Sequence, residues 1–178
     1  MGESIIAEQT NRVRLVLPKL SVQTQLFETN FTLVEVAALK AAWILIEPKI
    51  KMISKKIAID AYADNPNWIE LFRHDEKIDG TTMIHNPLWL LHIYGDIIKT
   101  NLRTNYAVAK VVRPVLEKQM HKFLAMPHLA GLLEYLKAGV INELDDHISP
   151  TARLGLEKLN QAILYFLRLT GKRVGARN

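Results

Sequence analysis

Residues 88–125, LWLLHIYGDIIKTNLRTNYAVAKVVRPVLEKQMHKFLA, read as one long amphipathic helix, and that reading sets both the fold class and the candidate function. At 100° per residue, Lys99, Arg103, Lys110, Arg113 and His121 fall within roughly 40° of a single line. Ile98, Val108, Val112, Val115, Leu116 and Phe123 take the opposite side. Cations a turn or two apart on a rigid rod, backed by an apolar seam, suit a polyanion with regularly spaced phosphates. Tyr106 lies within the stripe, where its ring can stack on a sugar or base. Glu117 and the flanking Asp96 interrupt the run of positive charge. Asn101 and Asn105 intrude on the apolar side and are expected to hydrogen-bond to a neighbouring helix.

Outward from this stretch, helix punctuation is frequent and strand signals are almost absent. Asn86-Pro87 supplies a cap followed by proline at the first helical position. Pro114 is expected to bend or divide the long helix, and Met126-Pro127 to end it. Upstream, Thr32-x-x-Glu35 is a capping box that opens an apolar helix carrying Val36, Trp43, Ile44 and Ile46. Pro48 kinks or ends that helix, and a second piece from Lys49 to Ile59 continues it. Asn65-Pro66 and Asp79-Gly80 are turn signals around one short helix holding Trp68, Ile69, Leu71 and Phe72. Downstream, His128 to Ala138 reads as a short helix closed by Gly139. Ser149-Pro150 opens the last helix, and Gly171 is its expected C-cap. The sum is an all-α fold: a helical bundle of five to seven helices over 32–178, with an extended N-terminal arm over 1–31. Within that arm, residues 4–11 read as a short helix. The alternation of Val13, Leu15 and Leu17 before Pro18 reads as extended chain.

Charge is segregated along the chain. From Lys99 to Lys122 six cations face one acid, a local excess equal to the net charge of the whole protein, +5. Smaller basic clusters are Lys49, Lys51, Lys55 and Lys56, and then Arg168, Lys172, Arg173 and Arg177. Acidic side chains gather at Asp60, Asp64, Glu70, Asp75, Glu76 and Asp79. Such a pattern gives a molecule one positive and one negative surface. The basic arm (Arg12, Arg14) and tail (Lys172, Arg173, Arg177) have the composition of extensions that grip nucleic acid.

Several classes of chemistry lack their residues. There is no cysteine, so thiol and disulfide chemistry is excluded. No glycine-rich phosphate loop occurs, and none of the four serines sits in Gly-x-Ser-x-Gly. His74-Asp75 has no histidine upstream to complete a metal-dependent phosphohydrolase site. His85, His92 and Asp96 are the one set spaced to share a metal, although capping and core hydrogen bonds explain them more simply. Trp43, Trp68 and Trp89 read as core or interface anchors. The oiliest stretch, Val36 to Ile46, holds Lys40 and falls short of the ~20 apolar residues that span a bilayer. Met1-Gly2-Glu3-Ser4 lacks the features of a signal peptide.

These observations predict a non-enzymatic protein without a cofactor, cytoplasmic or within an assembled nucleoprotein particle, that binds the nucleic-acid backbone and self-associates into an oligomer or filament. Its contacts are expected from Lys99, Arg103, Tyr106, Lys110 and Arg113, with Arg12, Arg14, Lys172, Arg173 and Arg177 as clasps. Mean hydropathy, +0.04, is high for an isolated bundle and points to apolar surface covered by a partner. The rival readings are a helical adaptor or chaperone-like module, and a small metal-binding bundle centred on His85, His92 and Asp96.

Overall fold

Thr32 opens the first helix as its spacing predicts. Its hydroxyl accepts from the Glu35 N–H at 3.2 Å, while the Glu35 carboxylate accepts from the Thr32 N–H at 2.8 Å. Two of the four donors that a helix start leaves over are thereby satisfied. The computed structural model describes residues 26–119 and 126–175, and the side chains of 26–114 and 127–166. From the cap, α1 runs Leu33–Ile46. Pro48 sits in a single 3-10 turn, Glu47–Lys49, and α2 continues over Ile50–Asp64. A 3-10 segment, Pro66–Phe72, leads into a two-residue antiparallel hairpin of β1 (Arg73–His74) and β2 (Lys77–Ile78). Then follow α3 (Gly80–Lys99), α4 (Asn105–Gln119), α5 (Met126–Leu144) and α6 (Pro150–Gly175). The all-α bundle is thus observed, with six α-helices among the described residues.

Several boundaries differ from the sequence reading. α3 starts two turns before Asn86-Pro87, because the Asp79 carboxylate caps it by accepting from the Thr82 N–H at 3.0 Å. Pro87 then lies inside the helix and is buried. Pro114 neither divides nor ends α4; the chain breaks before α4 begins, at Asn101-Leu102. Met126-Pro127 opens α5 rather than closing a helix, with proline in the first turn where its missing N–H costs nothing. Gly139 and Gly171 both lie within helices. Gly139 is a packing residue: a Cβ there would sit 2.5 Å from Ile57 Cγ1, so its small size lets α5 press against α2.

Helices α3 and α5 hold the middle of the bundle. α3 packs on α1, α2, α4 and α5, and α5 on α1, α2, α3 and α6. Leu90, Leu91, Tyr94, Ile97 and Ile98 of α3 join Leu132, Leu133 and Leu136 of α5 in one core, each 1% exposed or less. Residues 26–31, which the sequence reading placed in the arm, are tied into this bundle. Phe31 is fully buried, Thr29 donates to the Leu102 carbonyl, and the Asn30 carbonyl accepts from Lys158 at 3.0 Å. The expected helix over 4–11 and extended chain over 12–19 lie outside the described residues. Among the described residues, no helix is long and apolar enough to cross a membrane.

Candidate nucleic-acid interface

The basic ladder expected on one rod is carried on two. α3 ends at Lys99, and Asn101 and Leu102 take left-handed backbone angles, φ 64° and 51°. Asparagine tolerates that region. Leucine does not, and Leu102 is held there by its environment. Its side chain is 0% exposed in the core, and its carbonyl accepts from Thr29. Asn101 accepts from Lys40 of α1, a neighbouring helix as expected, whereas Asn105 donates at 3.4 Å to the carbonyl of Glu28, which lies in the turn before α1. Thr104 then starts α4, its hydroxyl accepting from the Ala107 N–H at 3.2 Å.

The break puts Lys99 on a different helix from Tyr106, Lys110 and Arg113. The Lys99 ammonium lies 2.8 Å from the Glu47 carboxylate, and that hydrogen bond holds the lysine pKa above its usual value. Its charge is therefore partly cancelled within the molecule. Arg103, in the break itself, is exposed and places its guanidinium 5.7 Å from the centre of the Phe27 ring. This contact orients the side chain and leaves its charge intact.

On α4 the pattern survives. Tyr106, Lys110 and Arg113 follow one another at four and three residues, so they share one face, and all three are exposed. Tyr106 is 76% exposed, an unusual position for a large ring. Val108 and Val112 lie opposite, each 1% exposed, and fasten the helix to the core. With Ala109 and Pro114 the three line a shallow depression of about 280 Å³. The depression has an aromatic wall, an apolar floor and cations on its rim. Such a surface can stack a base or sugar while neutralising phosphates on either side. His121, Arg12 and Arg14 lie outside the described residues, as do Arg177 and the side chains of Lys172 and Arg173.

The described histidines are not gathered into a site. His85 Nδ1 lies 2.7 Å from the Thr81 carbonyl of its own helix. Among the described residues no three His, Cys, Asp or Glu side chains are grouped to hold a metal ion. His74 and Asp75 sit in the exposed hairpin, with Asp75 at φ 55°.

Two features were not singled out from the sequence. A cavity of about 510 Å³ lies between α2 and α5, lined by Met52, Lys56, Asp60, Asp64, Tyr135 and Glu143 among others. The Tyr135 hydroxyl donates to Asp64 at 2.9 Å and accepts from Asn65 at 3.0 Å, which fixes one wall. The second is the outer face of α1, where Leu33, Val34, Ile44 and Leu45 are exposed. Its one signal in the sequence was the scarcity of charge between Val36 and Ile46. No protein-family model matches this chain, and no curated protein is similar to it.

Proposed function

We propose that this is a non-enzymatic protein that binds the backbone of nucleic acid, largely without regard to sequence, and that self-associates. A nucleoprotein or coat subunit of a filamentous particle is the concrete form of this reading. The observation that carries it is the exposed face of α4, where Tyr106, Lys110 and Arg113 share one side of a helix anchored by Val108 and Val112. Arg103, exposed in the break just before α4, is included as a further cation. Lys99, paired with Glu47, is dropped from the contact set. Phosphate contacts position a protein without reading sequence.

The test is binding to a labelled oligonucleotide of mixed sequence, duplex and single-stranded. Replacing Arg103, Lys110 and Arg113 together with alanine should weaken binding by at least about tenfold at low salt. Lys99→Ala should leave it within about twofold, since an exposed ion pair contributes little. Equal losses from the two variants, or none from the triple one, would contradict the assignment. A second reading, a helical adaptor that docks another protein, is favoured by the apolar outer face of α1. It is separated from the first by retention of all function in the triple variant.

A further inference from the structure

Helix α1 is apolar on nearly every side. Only Glu35 and Lys40 carry charge within Leu33–Ile46, and neither lies on the outer face. Glu35 is buried against Lys158 at 2.6 Å, and Lys40 donates to Asn101. The inner face is fixed by close fit. Trp43 packs where a Cβ on Gly95 would lie 2.7 Å from its indole nitrogen, and Leu39 where a Cβ on Gly155 would lie 2.8 Å from its Cγ. α1 therefore presents one defined outer face, made of Leu33, Val34, Ala37, Ala41, Ile44 and Leu45. Leu33 is 63% exposed and Ile44 70%. A helix apolar all round is ordinarily covered. At about 21 Å this one is too short to span a bilayer.

The order of side chains on that face indicates what covers it. Leu33 and Leu45 are equidistant from Leu39, as are Val34 and Ile44, and Ala37 and Ala41. Sizes thus run large, small, small, large, and read the same in both directions. We propose that the outer face of α1 pairs with the same face of a second copy, antiparallel, about a two-fold axis level with Leu39. Each residue then meets its mirror position: Leu33 the partner's Leu45, Val34 its Ile44, and Ala37 its Ala41. Isologous contact of this kind is what closed two-fold symmetry requires. The alanines at the centre let the backbones approach, the four large side chains interlock outside them, and no like charges are opposed. The helix dipoles run in opposite directions, which also favours the pair.

The four large side chains expose on the order of 450 Å² per copy, about 900 Å² for the pair, below the ~1,200 Å² typical of stable complexes. The dimer is therefore expected in the micromolar range rather than as an obligate unit. This inference gives a surface and a symmetry to the self-association proposed above, and it shares no residue with the α4 face.

Sedimentation velocity on the full chain, without nucleic acid, between about 1 and 100 µM should show reversible dimerisation. Ala41→Glu keeps a good helix former at an exposed site and should raise the dimer dissociation constant at least about tenfold. Its oligonucleotide affinity per chain, measured separately, shows whether the α4 reading stands or falls on its own. Because the chain has no cysteine, a second experiment is available: Ala37→Cys and Ala41→Cys proteins should cross-link when mixed and oxidised, and far more slowly apart. A wild-type chain monomeric at about 100 µM would overturn the proposal, as would Ala41→Glu dimerising normally or single variants linking as fast as the mixture. Binding of a monomeric wild type to zwitterionic phosphatidylcholine vesicles, lost in Ala41→Glu, would overturn it by assigning the face to a lipid surface.

Discussion

His128 is 3% exposed, and neither ring nitrogen has a hydrogen-bond partner among the described residues. Its ring is enclosed by Trp68, Phe72 and Tyr62 at centroid distances of 4.7, 5.9 and 6.1 Å. Burial lowers its pKa to about 4. The unfolded chain takes up a proton near pH 6.5 that the folded chain refuses, so stability falls as pH drops from about 6.5 towards 4. The full loss amounts to about 3 kcal/mol. Chemical denaturation at a series of pH values should show this acid limb, and His128→Leu should flatten it. Glu35 acts in a lower window. Burial raises its pKa, but Lys158 and the Thr32 cap outweigh that and leave it below the ordinary value. Its contribution is present at neutral pH and lost as pH falls through the depressed pKa. Glu35→Gln preserves the cap and removes the charge opposite Lys158, and should cost about 2 kcal/mol by urea titration at pH 7.

Between elements, the decisive feature is the left-handed pair Asn101-Leu102, which turns one expected helix into α3 and α4. Asn101→Ala loses the Lys40 contact and puts a Cβ-bearing residue with no polar side chain at φ 64°, so it should destabilise by about 1 kcal/mol. Asn101→Gly keeps the backbone at ease and should cost less, a ranking that denaturation midpoints check directly. This break was illegible in the sequence because the wheel pattern of 88–125 continues through it without a phase error. What ends α3 is tertiary: the burial of Leu102 and the bond from Thr29, seventy-three residues away in the chain. Caps made by adjacent residues were legible, as at Thr32 and Ser149, whose hydroxyl accepts from the Ala152 N–H at 3.1 Å. Prolines and glycines misled where packing outweighed propensity, at Pro87 and Gly139. The same division runs through the candidate site. The α4 half followed from spacing alone, whereas the Glu47 carboxylate beside Lys99 comes from fifty-two residues away.

At the scale of the whole molecule, the proposed cationic face and the proposed apolar face lie on different helices. α4 presents Tyr106, Lys110 and Arg113, and α1 presents Leu33, Val34, Ile44 and Leu45. A protein that coats a charged polymer as paired subunits needs both, one face for the polymer and another for the second copy. The separation means that each can be removed without the other, and that loss of dimerisation should leave the per-chain salt response unchanged. The most direct measurement is the slope of log K against log salt for oligonucleotide binding, in the wild type and in the Arg103/Lys110/Arg113→Ala variant. Three lost phosphate contacts should reduce that slope by about 2 to 3. Parallel lines for the two proteins would show that the α4 cations do not touch the polymer.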